Sequence, residues 1–260
     1  MLTTHRKQAI LAALQRDGQV IAKTLSDAFG VSEDTVRRDL RELAAEGLLQ
    51  RVHGGALPAS AAMGDFVQRQ DIHMGVKRAI AARAASMILP GQVVILDGGT
   101  TCVEMARCLP PALEATVVTH SPSVAVALAA HPRIEVVLIG GRLFKHSVVT
   151  VGAAAVEALA RIRADTYFMG VTGVHPAEGF STGDLEEAHM KRALAARAAD
   201  VVVLASTEKL GAASPYVIGG IDMAQSVVVD DAAPDTLRRA LAQAGVSVVV
   251  AQGPRSATPS

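Results

Sequence analysis

Several things are scarce in this chain of 260 residues. There are only two cysteines, Cys102 and Cys108, at a spacing that suits neither a disulfide framework nor a zinc quartet, so they read as small hydrophobes within a helix. Its eight histidines form no HxxxH or HExxH pattern, which leaves a metal site without support. Apolar runs such as VVVLA at 201–205 and VSVVV at 246–250 are strand-length, far below the roughly 18 residues of a bilayer span. The opening MLTTHRKQAILAALQRDG lacks the unbroken apolar centre and small-residue cleavage site of a secretory signal, so a cytoplasmic location is expected. Net charge is also missing, because 25 Lys and Arg balance 25 Asp and Glu. Residues 1–57 hold eight basic and seven acidic residues, so any grip on nucleic acid must come from local placement of cations rather than a global field. No internal repeat stands out.

What is present begins with SEDTVRRDLR at 32–41 and RVHGGA at 51–56. A period of about 100° per residue puts Val36, Leu40 and Leu43 on one stripe and Arg38 and Arg41 on the opposite side, flanked by Thr35 and Arg37. Ser32 is the expected N-cap, with Glu33 and Asp34 in the first turn. Two helices precede it. Thr4–Arg16 carries Ile10, Leu11 and Leu14 on one face, and Ile21–Phe29 carries Ile21, Leu25 and Phe29. A short break at Gly30-Val31 then leads into the basic helix, which is the helix-turn-helix plan. LLQRV, the Gly54-Gly55 turn and the Ala-Leu after it suit a two-stranded wing, with Arg51 and His53 as its cations. The plainer alternative is a three-helix packing module whose arginines are paired internally, since Asp34 and Arg38 stand at i, i+4.

Residues 58–64, PASAAMG, lack any period and mark a linker. Beyond it, valine-rich runs at 93–97, 115–120, 134–140, 164–170, 200–205, 225–230 and 246–250 alternate with helical stretches, which predicts a mostly parallel sheet covered on both faces. The expected division is a DNA-binding winged head at 1–57, a linker at 58–64, an α/β domain at 65–251 and a flexible tail at 252–260.

Ligands in such sheets collect beyond the carboxyl ends of the strands. Asp97-Gly98-Gly99-Thr100-Thr101 follows one strand and opens a helix, so it reads either as a phosphate cradle or as a tight strand-to-helix turn. Thr119-His120-Ser121, Gly140-Gly141-Arg142 and Gly170-Val171-Thr172-Gly173 follow others. Arg142, Lys145 and Lys209 are candidate phosphate partners. Together these loops suggest a polyhydroxylated anionic ligand. Glu187 and Lys191, at i, i+4, read as a surface ion pair.

With these residues on the page, the chain resembles the DeoR family of bacterial transcriptional repressors over nearly its whole length. Arg6, Leu25, VSEDTVRRDL, Leu43, Gly47 and RVHGGA carry the likeness in the head. LDGGTT, VVTHS, LIGGR, GVTG with the later Gly179, EEAHMKRA and EKLG carry it beyond. The resemblance implies a winged helix-turn-helix head joined to a sensor domain similar to sugar-phosphate isomerases and CoA transferases, answering to a phosphorylated sugar or related metabolite. It implies DNA contacts from Ser32, Thr35, Arg37 and Arg38. It implies effector contacts from Asp97, Gly99, Thr100, Thr101, the VTHS loop, Gly141, Arg142, Gly173 and Lys209. His120 stands where the family more often has Asn, and Ser206-Thr207-Glu208-Lys209 where DSSK is common.

The expected function is a repressor of a carbohydrate operon that binds double-stranded operator DNA as a homodimer or homotetramer, with no cofactor, metal, membrane or catalytic residue. An activator is a second possibility, because the sign depends on where the operator lies. The rival from another class is a sugar-phosphate isomerase with an accessory head, in which Asp97, Asp165, Glu187 and Lys209 supply acid and base.

Overall fold

A computed structural model of the chain describes residues 2–70 and 72–252. The N-terminal body runs α1 (Thr3–Asp17), β1 (Val20–Ile21), α2 (Ala22–Phe29), α3 (Glu33–Ala45), β2 (Leu49–Val52) and β3 (Gly55–Pro58). Ile10 and Leu14, Leu25, and Val36, Leu40 and Leu43 close one core with Leu49 and Ala56 of the hairpin. Ser32 caps α3, its hydroxyl accepting from the Thr35 amide at 3.2 Å.

Two features of this body depart from the sequence reading. Its sheet has three strands in the order β1-β3-β2, because Val20 and Ile21 pair antiparallel with Ala56 and Gly55. Ile21 is therefore 53% exposed rather than on the apolar face of α2, whose helical period begins one residue later. Secondly, α1 and α3 are joined through their interior. The Arg6 guanidinium donates through Nε and Nη2 to both oxygens of Asp39, and the two residues are 4% and 0% exposed.

The chain continues through a 3-10 turn (Ala61–Met63), α4 (Phe66–Gln70), α5 (Met74–Ala85), β4 (Val93–Leu96), α6 (Thr100–Arg107), β5 (Ala115–Thr119), α7 (Pro122–Leu128) and β6 (Ile134–Leu138). A hairpin of β7 (Arg142–Phe144) and β8 (Val149–Val151) follows, then α8 (Ala153–Ala158), β9 (Ala164–Gly170), β10 (Gly173–His175) and β11 (Gly179–Thr182). The last part is α9 (Leu185–Ala195), β12 (Ala198–Leu204), β13 (Tyr216–Gly219), β14 (Ser226–Asp230), α10 (Asp235–Gln243) and β15 (Ser247–Ala251). Seven strands form one sheet in the order β15-β14-β12-β9-β4-β5-β6, with every neighbouring pair parallel. Two apolar clusters cover its faces, one around Ile95, Tyr167 and Val203 and the other around Leu96, Phe168 and Leu204. These neighbours in sequence point to opposite faces because side chains alternate along a strand.

The order matters for the site. From β4 the chain steps outward to β5 and β6, then returns to the other side of β4 for β9, β12, β14 and β15. The switch point lies between β4 and β9, where a crevice opens at the carboxyl ends of the strands. Two small antiparallel sheets, β7-β8 and β10-β11-β13, flank that edge. Strands of three or four residues leave too little alternation to be read from sequence.

No described helix is long and apolar enough to cross a membrane. Of the stretch read as a tail, residues 253–260 lie outside the described residues.

Candidate functional site

On the head, Arg37, Arg38 and Arg41 of α3 and Arg51 and His53 of the hairpin are all exposed. The alternative reading pairs Asp34 with Arg38, but the internal pairing is made by Arg37, 2.7 Å from Glu33 and 3.7 Å from Asp34. Arg38 and Arg41 have no ion pair among the described residues, so their charge faces solvent. Ser32 and Thr35 stand together at the N-terminus of α3, with their hydroxyls 3.0 Å apart. A helix with free guanidinium groups beside an exposed hairpin has the shape and charge to lie against a duplex.

In the second body, a partly open cavity of about 140 Å³ lies at the switch point, smaller than the pockets that take drug-sized molecules. The loop after β4 gives it Gly98, Gly99, Thr100, Thr101 and Cys102. The loop after β9 gives Gly170, Val171 and Thr172, and the turn after β12 gives Lys209. Gly99 has φ +96 and Gly98 has no room for a side chain, since a Cβ there would lie 2.1 Å from Val149 Cγ1. The chain can therefore turn sharply into α6, whose first amides have no partner inside the helix and belong to residues that line the cavity.

Asp97 anchors the floor. Its Oδ1 accepts from the Gly98 amide at 2.8 Å and from His120 Nε2 at 2.8 Å. Its Oδ2 accepts from the Gly170 amide at 2.8 Å and from Lys191 Nζ at 2.6 Å. Burial alone would raise the Asp97 pKa, but Lys191 and His120 outweigh it and hold the carboxyl well below the usual range. Burial likewise works against the Lys191 ammonium, yet Asp97 and Glu187 leave its pKa raised. The two remain a charged pair across neutral pH.

Glu187 and Lys191 are thus not a surface pair. Both are buried and both line the cavity. Their spacing on α9 is the same in either setting, so sequence could not distinguish them. Asp184 caps α9, accepting from the Glu187 amide at 3.1 Å, and it also faces the cavity with Thr182 and Gly183.

The residues expected from sequence divide into three groups. Gly98, Gly99, Thr100, Thr101 and Lys209 are in the cavity wall. Asp97, Thr119, His120 and Ser121 are buried outside it and make up the frame. His120 reaches from Asp97 to the Thr150 carbonyl, 2.9 Å from its Nδ1, and so belongs to the support beneath the cavity. Gly141, Arg142 and Gly173 are also outside the wall, and Arg142 and Lys145 are exposed on the hairpin.

Sequence reading missed Arg69 of α4, and His146 and Ser147 between β7 and β8, all of them in the wall. Arg69 sits in a stretch without helical period, which gave no signal. Lys209 and Arg69 have no carboxylate within ion-pair distance among the described residues. Burial lowers Lys209 to about 8, with Glu208 opposing and Arg69 adding to the shift. Burial also lowers Arg69, partly offset by Glu187 and Asp65. Cys102, in the same wall, has its thiol pushed up to about 12 by burial and by Asp97.

Comparison with known proteins gives the family. The DeoR-like helix-turn-helix domain matches residues 6–61, and the DeoR C terminal sensor domain matches residues 72–231. The chain belongs to the DeoR family. It is 35% identical over 251 residues to the HTH-type transcriptional regulator GlpR of Haloferax volcanii, covering 96% of this chain and 98% of that one. It is 29% identical to the glycerol-3-phosphate regulon repressor of Escherichia coli K12, over 93% and 96% of the two chains. Among solved structures, ribose 5-phosphate isomerase A of Methanocaldococcus jannaschii is similar at 18% identity and a TM-score of 0.39, over 51% of this chain and 52% of that one. This DeoR-family protein is a DNA-binding transcriptional regulator with a sensor domain, and its relatives are regulators rather than enzymes. The isomerase reading falls with that. Asp165, one of its proposed acids, accepts from the Val93 amide at 2.8 Å at the start of β4, the opposite end of the sheet from the cavity.

Proposed function

We propose that this regulator represses a sugar or carbohydrate operon, acts in the cytoplasm, and leaves its operator when a phosphorylated sugar or polyol binds in the switch-point cavity. The observation that carries this reading is a pair of cations in one cavity wall that no carboxylate holds in an ion pair. Arg69 and Lys209 face one small cavity without an ion-paired carboxylate among the described residues, beside the free amides at the start of α6. A phosphate ester would give both cations a hydrogen-bonded partner. Glu187, Asp184 and Thr182 in the same wall are acceptors and a donor for hydroxyl groups. The name of the Escherichia coli relative makes glycerol 3-phosphate the first compound to try.

A thermal-shift screen of the full chain against three- to six-carbon sugar and polyol phosphates tests the reading, since stabilisation follows ligand affinity. At least one should raise the melting temperature where its unphosphorylated parent does not. A uniform lack of response would reject an anionic effector.

Affinity for the phosphate ester should also fall with alkalinity. The Lys209 cation is fully present below about pH 8 and is lost above it, so each further pH unit should weaken binding by up to about tenfold. Calorimetric titrations at pH 7 and pH 9 check this, and equal affinities would mean that Lys209 does not touch the ester.

Paired heads of an oligomer would engage half-sites about 34–36 Å apart or at multiples of that spacing. Ser32, Thr35, Arg37, Arg38, Arg41, Arg51 and His53 form the proposed DNA surface. Arg38→Ala should weaken binding to a duplex selected from random sequence by the wild-type protein, and should reduce the salt slope by about 0.9 for each phosphate that the head no longer neutralises. An unchanged gel-shift titration at two salt concentrations would take α3 out of the interface.

A further inference from the structure

Residues 62–71 fall between the two family matches, yet this stretch, with the residues just before it, does more than join two bodies. The strand β3 ends at Pro58, whose carbonyl accepts from the Ala213 amide at 3.3 Å, and Ala59 forms a parallel bridge with Ala213. The buried Ser60 hydroxyl donates to the Thr172 carbonyl at 2.5 Å. The Phe66 amide donates to the His146 carbonyl at 2.8 Å. Thr172 and His146 both line the cavity, and the connector adds Ala62 and Arg69 to the same wall. Arg69 Nε donates to the Asp65 carbonyl at 3.3 Å. Its terminal nitrogens have no hydrogen bond among the described residues, and the side chain shares the cavity with Lys209.

A ligand shifts an equilibrium between two arrangements only as far as it interacts differently with each. Contacts confined to the sheet-end loops would be the same wherever the head stood. A contact from the connector would not be, because Ala62 lies four residues after the end of the wing strand.

We propose that Arg69 binds the anionic effector directly, so that an occupied cavity fixes residues 58–70 in one position and with them the wing of the DNA-binding head. The connector is then part of the binding site and also the element through which occupancy reaches DNA. This inference rests on the reading of the effector as a phosphorylated metabolite.

Amide hydrogen exchange on the full-length protein, with glycerol 3-phosphate, inorganic phosphate and a panel of three- to six-carbon sugar phosphates as probes, tests it. With a binding probe at saturation, exchange should slow by about tenfold or more both at 100–103, the start of α6, and at 59–70. Arg69→Gln should weaken binding of that probe by about 10- to 100-fold, the range expected when a charge-assisted hydrogen bond is removed. At concentrations that saturate the variant, 100–103 should still be protected while 59–70 exchanges as in the free protein. Arg69→Lys should recover part of the affinity. Protection of 100–103 without 59–70 in the wild type, or wild-type affinity and connector protection in Arg69→Gln, would overturn the inference alone. If no probe protects residues 100–103 of the wild type, the anionic-effector reading fails and the inference fails with it.

Discussion

Asp97→Ala is expected to lower the unfolding temperature of the sensor domain by on the order of 10 °C. The substitution removes the acceptor of four hydrogen bonds and leaves the Lys191 ammonium, 5% exposed, without its partner carboxylate. Removing one member of a buried ion pair costs about 3–5 kcal/mol, and each kcal/mol moves the midpoint of a domain this size by roughly 2–4 °C. Calorimetry or circular dichroism of the full chain measures it, and a midpoint within about 2 °C of wild type would show that Asp97 does not anchor the floor. The dependence on pH has a definite sign. The folded Asp97 carboxyl titrates below its ordinary range, the unfolded value being about 3.9. The stability it contributes is therefore complete above that value and declines only as the pH falls further. Between pH 5 and pH 8 the difference between wild type and variant, as far as Asp97 governs it, should stay constant.

The second large effect belongs to the other body. Arg6→Ala leaves Asp39 fully buried without the guanidinium that serves both its oxygens. A comparable cost of about 3–5 kcal/mol falls on a head of fewer than 60 residues, which buries little apolar surface and has little stability to lose. DNA binding should disappear, and proteolysis should cut within α1–α3, while a phosphate ester still stabilises the sensor domain. Operator binding at wild-type strength would show that the pair contributes little. Together the two substitutions disable output and input separately. Arg38→Ala differs from both in weakening DNA binding without unfolding anything.

The head is legible in sequence where local rules set the structure. Val36, Leu40 and Leu43 give the buried face of α3 through their spacing, and Ser32 gives its start through its capping hydroxyl. Strand β1 is not legible, because two residues carry no period and pair only with a hairpin that the sequence places more than thirty residues away. In the sensor domain, valine-rich strands separated by helices mark the parallel sheet, since a strand covered on both faces must be apolar throughout. The loops after β4, β9 and β12 stand out for the same reason, as the carboxyl ends of those strands. Which loops converge depends on strand order. Arg142 follows β6 at the sheet edge and Lys209 follows β12 beside β9, and nothing in either local sequence records that difference. An acidic residue before two glycines fits both a binding loop and a buried anchor, so Asp97 reads from sequence as a ligand contact, while the structure buries it outside the cavity wall. Arg69 gives no signal because its helix, Phe66–Gln70, is too short to show a period.

The four hydrogen bonds at Asp97 have a practical implication. A carboxylate offers about four lone-pair positions, and here two amides, an imidazole and an ammonium take them all. The base of the sensor has no valence left over for a metabolite, so it works as a fixed chassis. Retargeting the protein to another small molecule as a biosensor is then a matter of varying Arg69, His146, Thr182 and Asp184 around the rim. A library that also varied Asp97 or Lys191 would lose stability along with its ligand specificity.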